Sequence, residues 1–277
     1  MATKELNIGF VGGGNMGRSL AGGLLENGWA PEQILIAEHN PDQREAVLRL
    51  LGLACEQSSA TMAAKVDVLV LAIKPQDLKS AIEEIAASAQ QRKLLVLSIV
   101  AGVREQDIQR WLGGGLAIVR AMPNTPALVG SGATGLYANA LVSEPQRDLA
   151  ESILRAVGIT VWLDEESLLD VVTALSGSGP AYYLMVMEAL EKAAVAQGLT
   201  PATARLLTLE TAYGTAKMAL ESREEPAQLR RRVTSPGGTT ERAIDVLNQG
   251  DMPGLLAKAL TAATTRSREL AELLGQD

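Results

Sequence analysis

Cysteine and histidine are almost missing from this chain of 277 residues: Cys55 is its single cysteine and His39 its single histidine. A lone cysteine can form no disulfide within the chain and cannot build a cysteine-based metal site. A lone histidine argues against a histidine-based catalytic triad, a zinc hydrolase and most transition-metal chemistry. We therefore predict no metal site, and we interpret His39 as an exposed loop residue.

Aromatic residues are also scarce, at 3% of the chain, and no apolar run approaches the length that crosses a bilayer. Alanine and leucine dominate the apolar residues, which favours closely packed helices over an aromatic-rich β-sandwich. The formal net charge of −7 argues against nucleic acid as the main partner. Because residues 1–6 do not resemble a signal peptide, we expect a cytoplasmic protein without a membrane segment.

A glycine-rich loop lies between the first predicted strand and the first predicted helix. Read as G-x-G-x-x-G, its three defining positions are Gly12, Gly14 and Gly17. In this pattern the first glycine makes a tight turn, the second admits a pyrophosphate, and the third lets helix and strand pack closely. A second predicted strand follows the helix, and this context predicts a dinucleotide-binding site.

The end of the second predicted strand carries the residues expected to distinguish NAD from NADP. Glu38 is an acid of the kind that holds the ribose hydroxyls of NAD. Asn40, and Arg44 one helical turn later, could instead serve the additional phosphate of NADP. From these residues alone, both choices of cofactor stay open.

Strands and helices alternate along the first part of the chain, and helical patterns alone follow. This order predicts an α/β fold, with an N-terminal Rossmann domain (a doubly wound, mostly parallel sheet) over residues 1–165 and an all-α domain over residues 166–277. The predicted strands are 6–11, 33–37, 66–73, 94–100, 117–120, 133–137 and 159–163. The predicted helices are 19–27, 43–51, 76–89, 105–112, 146–157, 168–175, 181–197, 201–221, 226–233, 240–248 and 252–274.

Three loops follow predicted strands at the edge of the sheet where ligands bind in such folds. Each loop alone could be an ordinary proline- or glycine-rich strand terminator. Three in succession favour a nicotinamide pocket. The loops are Ala72-Ile73-Lys74-Pro75, Val100-Ala101-Gly102 and Met122-Pro123-Asn124-Thr125-Pro126.

The helical half is rich in small and apolar residues and has few aromatic side chains to anchor a compact core. Its loop Ser176-Gly177-Ser178-Gly179-Pro180 would let two helices approach closely. We infer a helical bundle that a second subunit completes; the alternative is a self-contained bundle.

A second loop, residues 234–241, has the sequence TSPGGTTE. Pro236 bars a regular helix, and the two glycines after it allow a tight turn close to a ligand. Thr239, Thr240 and Glu241 are expected to open a helix with a hydroxyl cap and an acid near its positive end. Free N–H groups there could bind a carboxylate or phosphate, the alternative being an ordinary capped turn.

Five motifs, in this order along the chain, resemble those of the pyrroline-5-carboxylate reductases, and the resemblance covers essentially the whole sequence. They are Gly12-Gly13-Gly14-Asn15-Met16-Gly17, Ala72-Ile73-Lys74-Pro75, Met122-Pro123-Asn124-Thr125-Pro126, Ser176-Gly177-Ser178-Gly179-Pro180-Ala181-Tyr182 and Ser235-Pro236-Gly237-Gly238-Thr239-Thr240. The resemblance implies reduction of the cyclic imine 1-pyrroline-5-carboxylate to L-proline, the last step of proline biosynthesis. It also implies a homodimer with interlocked helical domains, which could assemble further into a decamer.

The resemblance implies NADPH as the cofactor, with NADH possible because Glu38 is an acid. Together with the glycine pattern, it assigns cofactor contacts to Gly12, Gly13, Gly14, Asn15, Met16, Gly17, Glu38, Asn40, Ala72, Ile73, Lys74, Pro75, Val100, Ala101, Gly102 and Asn124. It assigns substrate contacts to Glu166, Ser235, Gly238, Thr239 and Thr240. The Thr240 hydroxyl is the expected catalytic group, as a hydrogen-bond partner of the ring nitrogen.

Two other functions compete with this interpretation. A β-hydroxyacid dehydrogenase would carry a lysine on the helix after its Ser-Gly-x-Gly loop, but the sequence after Gly179 is Pro-Ala-Tyr-Tyr-Leu. A regulatory protein that only senses a nucleotide would explain the glycine loop and leave the TSPGGTTE loop without a purpose.

Overall fold

The computed structural model describes residues 6–275, and the chain divides into two compact units. The first unit contains the residues up to Ser178 together with those from Ala262 onward. The second unit is the continuous segment Gly179–Thr261.

Among residues 6–275, the first unit contains an eight-stranded sheet. Its strands are β1 (Ile8–Val11), β2 (Ile34–Ala37), β3 (Cys55–Glu56), β4 (Val68–Leu71), β5 (Leu95–Ser98), β6 (Ile118–Met122), β7 (Gly132–Ala138) and β8 (Gly158–Trp162). They lie in the order β3-β2-β1-β4-β5-β6-β7-β8, and every neighbouring pair is parallel except β6 with β7. The predicted doubly wound, mostly parallel sheet is therefore confirmed.

Helices cover both faces of this sheet. They are α1 (Asn15–Glu26), α2 (Pro41–Leu51), α3 (Ser59–Ala63), α4 (Leu78–Arg92), α5 (Glu105–Leu112), α6 (Glu144–Arg155) and α7 (Leu168–Val172). The central strand β4 is buried at all four positions, as expected of a parallel strand between two helical layers. Helix α4 buries Leu78, Ile82, Ile85 and Ala89, whose three- and four-residue spacing forms one helical face.

The sheet separates two apolar cores because successive side chains of a strand point to opposite faces. Val68 and Val70 of β4 belong to one core, where residues of α1 and α6 pack, among them Leu20, Leu24, Ile153 and Leu154. Leu69 and Leu71 belong to the other core, where residues of α4 and α5 pack, among them Ile82, Ile85, Ile108 and Leu112. This packing fixes the carboxyl ends of β1, β2 and β4 side by side.

The sequence did not predict β3 and α3, which are two and five residues long. Elements this short do not complete a period of apolar residues, which is the signal that sequence analysis uses. The one local signal was Ser58, whose hydroxyl caps α3 by accepting a hydrogen bond from the Thr61 N–H at 3.2 Å. The predicted helix 168–175 was also wrong in its second half. Helix α7 ends at Val172, and a wider π-helical turn follows over Thr173–Gly177.

The second unit is helical. Its helices are α8 (Gly179–Ala196), α9 (Pro201–Glu221), α10 (Pro226–Arg232), α11 (Thr239–Gln249) and the first part of α12 (Met252–Leu274), whose residues from Ala262 onward belong to the first unit. All five were predicted to within two residues at either end. None of the helices within residues 6–275 is long and apolar enough to cross a membrane.

We expect the substitution Gly158→Ala to destabilise the protein, because a Cβ there would lie 2.0 Å from the carbonyl oxygen of Gly132. The two residues are paired between β7 and β8, so neither backbone can move freely. Overpacking of this kind lowers the free energy of unfolding by roughly 1–3 kcal/mol, and the strain of a side chain at a positive φ lowers it further. The matched control is Gly28→Ala, which has a positive φ of 89° but nothing within 4 Å. Equal urea unfolding midpoints for the two variants would contradict this prediction.

Candidate functional site

The glycine loop after β1 has the geometry that its sequence pattern requires. Gly12 has φ +103°, and a Cβ there would lie 2.5 Å from the Ala72 carbonyl oxygen. A Cβ at Gly17 would lie 2.4 Å from the Gly12 carbonyl oxygen. Around Gly14, by contrast, a Cβ would meet nothing within 4 Å. The outer two glycines therefore permit close backbone packing, and the middle one leaves open space.

That open space belongs to a cavity of about 640 Å³ at the start of α1. Gly14 caps this helix without a side-chain hydrogen bond, so the N–H groups of the first turn keep their capacity to bind an anion. The cavity is lined by Gly12, Gly14, Asn15, Met16, Glu38, Asn40, Gln43, Ala72, Ile73, Lys74, Pro75 and Asp77. Its loop and helix start therefore fit the pyrophosphate of a dinucleotide.

The residues after β2 hold one another through hydrogen bonds. The Glu38 carboxylate accepts from the Gly13 N–H and from the Asn40 N–H, both at 2.8 Å. The Asn40 side chain caps α2 by accepting from the N–H of Asp42 at 2.9 Å. Glu38 thus joins the glycine loop to the end of β2. His39 is exposed beside them, in agreement with its interpretation as a loop residue.

Cys55 supplies no nucleophile at this edge of the sheet. It is half-buried on β3, next to β2. Burial raises the pKa of its thiol, the Glu38 carboxylate raises it further, and Arg44 opposes the shift. The thiol therefore stays protonated near neutral pH.

The three predicted loops differ in what they contact. The loop Ala72-Ile73-Lys74-Pro75 lines the cavity of about 640 Å³. Val100 is buried, and Gly102, at φ +73°, faces Leu270 and Leu274 of α12. Val100, Ala101 and Gly102 are absent from the lining of this cavity in the described part of the chain.

The Asn124 carboxamide forms two hydrogen bonds, one through its nitrogen and one through its oxygen. Its Nδ2 donates to the Ser176 carbonyl oxygen at 3.0 Å, and its Oδ1 accepts from the Ala133 N–H at 2.9 Å. The side chain is buried. Asn124 thereby links the loop after β6 to β7 and to the π-helical turn, which is a different arrangement from the cofactor contact that the sequence predicted.

Glu166 lies in an ion pair that the sequence analysis missed. Its Oε1 accepts from Arg120 at 2.6 Å and from the Glu105 N–H at 2.6 Å, at the start of α5. Arg120 is buried on β6, and its Nε has no hydrogen-bond partner. Burial raises the pKa of the neighbouring Tyr137, with further contributions from Glu166 and Glu105. An arginine within the apolar strand sequence Ile-Val-Arg-Ala was the available signal.

Asp170 forms a second buried polar cluster within the first unit. Its Oδ1 accepts from the Ser267 hydroxyl at 2.7 Å, and its Oδ2 lies 3.4 Å from a guanidinium nitrogen of Arg104. Nearly a hundred residues separate Asp170 from Ser267, so no sequence spacing indicated this contact. The cluster attaches the last turns of α12 to α7.

In the second unit, the TSPGGTTE loop turns tightly into α11. Gly237 has φ +71°, its N–H donates to the Glu241 carboxylate at 2.7 Å, and the Gly238 N–H donates to the Ser235 carbonyl oxygen at 3.0 Å. The expected hydroxyl cap was wrong: Gly238 is the N-cap, and no side chain caps α11. Thr239 and Thr240 instead occupy its first turn, with their N–H groups at the open end of the helix.

Two family models match different parts of this chain. The family model described as pyrroline-5-carboxylate reductase dimerisation matches residues 166–270. The model described as NADP oxidoreductase, coenzyme F420-dependent, matches residues 7–102, which include the glycine loop and the loop after β4.

Relatives extend the similarity to nearly the entire chain. A pyrroline-5-carboxylate reductase of Pseudomonas aeruginosa is 47% identical over 97% of this chain and 98% of its own. The solved structure of a pyrroline-5-carboxylate reductase from Coxiella burnetii has a TM-score of 0.91 and 47% identity over 96% of this chain and 98% of its own. That of a Plasmodium falciparum pyrroline carboxylate reductase with NADP bound has a TM-score of 0.86 and 28% identity over 97% and 99%. With this identity spread along both units, the chain belongs to the pyrroline-5-carboxylate reductase family.

Proposed function

We propose that this protein reduces 1-pyrroline-5-carboxylate to L-proline with NAD(P)H as the reductant. The observation that carries the proposal is the 47% identity to a pyrroline-5-carboxylate reductase along almost the full length of both chains. The glycine loop and the uncapped start of α11 supply the two binding elements that such a reaction needs. The competing β-hydroxyacid dehydrogenase and nucleotide-sensor functions lack comparable support.

The cofactor would bind along the carboxyl ends of β1, β2 and β4. Gly12, Gly14 and Gly17 shape the loop for the pyrophosphate, and the first turn of α1 offers its N–H groups. When bound, the reduced nicotinamide supplies the hydride. Asn15, Met16, Glu38, Asn40 and the loop Ala72-Ile73-Lys74-Pro75 line the cavity and are the best-supported further contacts. Gly13, Val100, Ala101, Gly102 and Asn124 remain proposed contacts.

The substrate carboxylate would bind at the start of α11. The N–H groups of Thr239 and Thr240 face the open end of the helix, where the helix dipole favours a negative charge. Ser235 and Gly238 shape the loop that leads to this point. We assign the Thr240 hydroxyl to the ring nitrogen. That nitrogen begins as a protonated imine and gains a lone pair when its neighbouring carbon receives the hydride.

Glu166 remains a proposed substrate contact in a more restricted form. Both of its observed bonds, from Arg120 and from the Glu105 N–H, reach Oε1. Its other carboxylate oxygen is the one that a substrate donor would use. The same bonds also give Glu166 a role in holding α5, so loss of its carboxylate would affect folding as well as binding.

A homodimer is the assembly that the second unit supports. Of the residues in Gly179–Thr261, all of which the structure describes, Gly179, Ala204 and Leu229 alone are buried. In a single chain, large apolar side chains of this unit are exposed instead: Met185 is 73% exposed and Leu220 is 84% exposed. Helices this apolar need a covering surface, and the dimerisation family model spans these helices.

We retain the division into a cofactor domain over residues 1–165 and a substrate and dimerisation domain over residues 166–277. The start of the dimerisation match at residue 166 supports this boundary. Interlocking of the two helical domains, further assembly into a decamer and a cytoplasmic location remain predictions of the sequence.

The substitution Gly14→Ala tests the cofactor loop without disturbing the fold. Its Cβ would touch no protein atom within 4 Å, and the backbone at φ −66° accepts alanine. We expect NAD(P)H to bind at least roughly tenfold more weakly, because the methyl group occupies the space that the pyrophosphate needs. Nicotinamide fluorescence measures the affinity, and the unfolding temperature checks the fold. Unchanged affinity in a folded variant would contradict the loop assignment.

The substitution Thr240→Ala tests the catalytic hydrogen bond. We expect a loss of about 1–3 kcal/mol of transition-state binding, which is a roughly 5- to 150-fold fall in kcat/KM. Thr240→Ser is the matched variant, since it keeps the hydroxyl and should recover most of the rate. A Thr240→Ala variant with the kcat/KM of the parent enzyme would remove Thr240 from the mechanism.

The substitution Leu206→Arg tests the dimer. Leu206 lies on α9 and is 61% exposed, so arginine is compatible with the fold of one chain but would place a charge in the subunit contact. We expect light scattering to report monomers at micromolar concentrations. Leu48→Arg, at a leucine of α2 that is 57% exposed, is the control and should leave the assembly intact. If light scattering gave Leu206→Arg and Leu48→Arg the same particle mass, the proposed helical interface would be wrong.

A further inference from the structure

We propose that Glu38 makes this enzyme prefer NADH to NADPH, as a residue that determines cofactor specificity. The inference deepens the proposed function and rests on it.

The Glu38 carboxylate is fixed at the point where a dinucleotide would place its adenosine ribose. Its Oε2 accepts from the Gly13 N–H and its Oε1 from the Asn40 N–H, each at 2.8 Å. These bonds hold the carboxylate as a hydrogen-bond acceptor beside the glycine loop. A carboxylate in this position accepts hydrogen bonds from ribose hydroxyls, and it repels a phosphate on the 2′ oxygen.

The charges around the adjoining cavity also oppose a phosphate. This second cavity, of about 420 Å³, shares Gly12, Glu38, Asn40, Ile73 and Asp77 with the first one. Three carboxylates line it, those of Glu38, Asp77 and Glu84, and its described lining contains no lysine or arginine. The additional phosphate of NADPH, with a charge near −2, would therefore enter a cavity lined by carboxylates, of which those of Asp77 and Glu84 are exposed and that of Glu38 is half-buried.

The arginines nearest to Glu38 already donate to backbone oxygens. Arg44 donates from one nitrogen to the carbonyl oxygens of His39 at 3.0 Å and of Glu38 at 3.4 Å. Arg18 donates to the Gly13 carbonyl oxygen at 2.6 Å and to Oδ1 of Asn15 at 2.7 Å. These two side chains stabilise the loop that presents Glu38. The bonds of Arg44 hold its guanidinium against the backbone of His39 and Glu38, next to the carboxylate that would repel a 2′-phosphate.

The test compares the binding of NADH and NADPH to the full-length protein by nicotinamide fluorescence, without substrate, and then compares kcat/KM for each cofactor. We expect the unaltered protein to bind NADH at least roughly tenfold more tightly than NADPH. In Glu38→Gln, the ratio should fall to within about threefold, because the side chain carries no charge while its amide oxygen can still accept one of the two backbone hydrogen bonds. Glu45→Gln removes the same charge from an exposed position of α2 that lines neither cavity, and should leave the ratio unchanged.

A salt titration of the unaltered protein keeps the test independent of any variant. If repulsion sets the preference, raising the ionic strength should weaken the discrimination between the cofactors, because salt screens charges near the surface. Tighter binding of NADPH by the unaltered protein, or a ratio that Glu38→Gln does not move, would overturn the proposal. Binding of both cofactors without any turnover of 1-pyrroline-5-carboxylate would instead overturn the proposed function.

Discussion

The geometry of the glycine loop depends on the absence of a side chain at Gly17. Helix α1 can approach β1 only because Gly17 has no Cβ, which would otherwise lie 2.4 Å from the Gly12 carbonyl oxygen. Gly12 lies so close to the Ala72 carbonyl oxygen, just after β4, that a Cβ at Gly12 would be 2.5 Å from that oxygen. These two contacts place the first turn of α1 over the carboxyl ends of the strands. The cavity, the N–H groups that face it and the bond from Gly13 to Glu38 all follow from that placement.

The two units meet the requirement for a hydrophobic core in opposite ways. The first unit closes an apolar core on each face of its sheet, and β4 contributes to both. The second unit has apolar helices but almost no buried side chain, as the exposure of Leu206 and Leu220 illustrates. Since burial of apolar surface is the main stabilising term in folding, the helices need a partner surface to reach ordinary stability. The proposed dimer would supply that surface.

The sequence predicted those features that depend on neighbouring residues. Gly12, Gly14 and Gly17 have a fixed spacing, and prolines, glycines and capping residues mark the ends of the long helices of the second unit. The elements it missed are short, as with β3 and α3, or depend on contacts between distant residues. Arg120 with Glu166, and Asp170 with Ser267, meet only after the sheet and the last helix are in place. The hydroxyl cap failed for a local reason, since Gly238 takes the cap position and Thr239 enters the helix.

The scarcity of reactive side chains agrees with the chemistry assigned to this chain. A protonated cyclic imine is already a good hydride acceptor, so the protein need not supply a metal, a nucleophile or a strong acid. Cys55 has a raised pKa and stays protonated, and His39 is exposed. What the reaction does require is two reactants held in a fixed relative position, which can lower a barrier by many kcal/mol without any reactive group. Within each unit, the backbone N–H groups at the start of a helix, α1 in the first and α11 in the second, are placed by the fold rather than by mobile side chains, so each could hold one proposed ligand in a defined position.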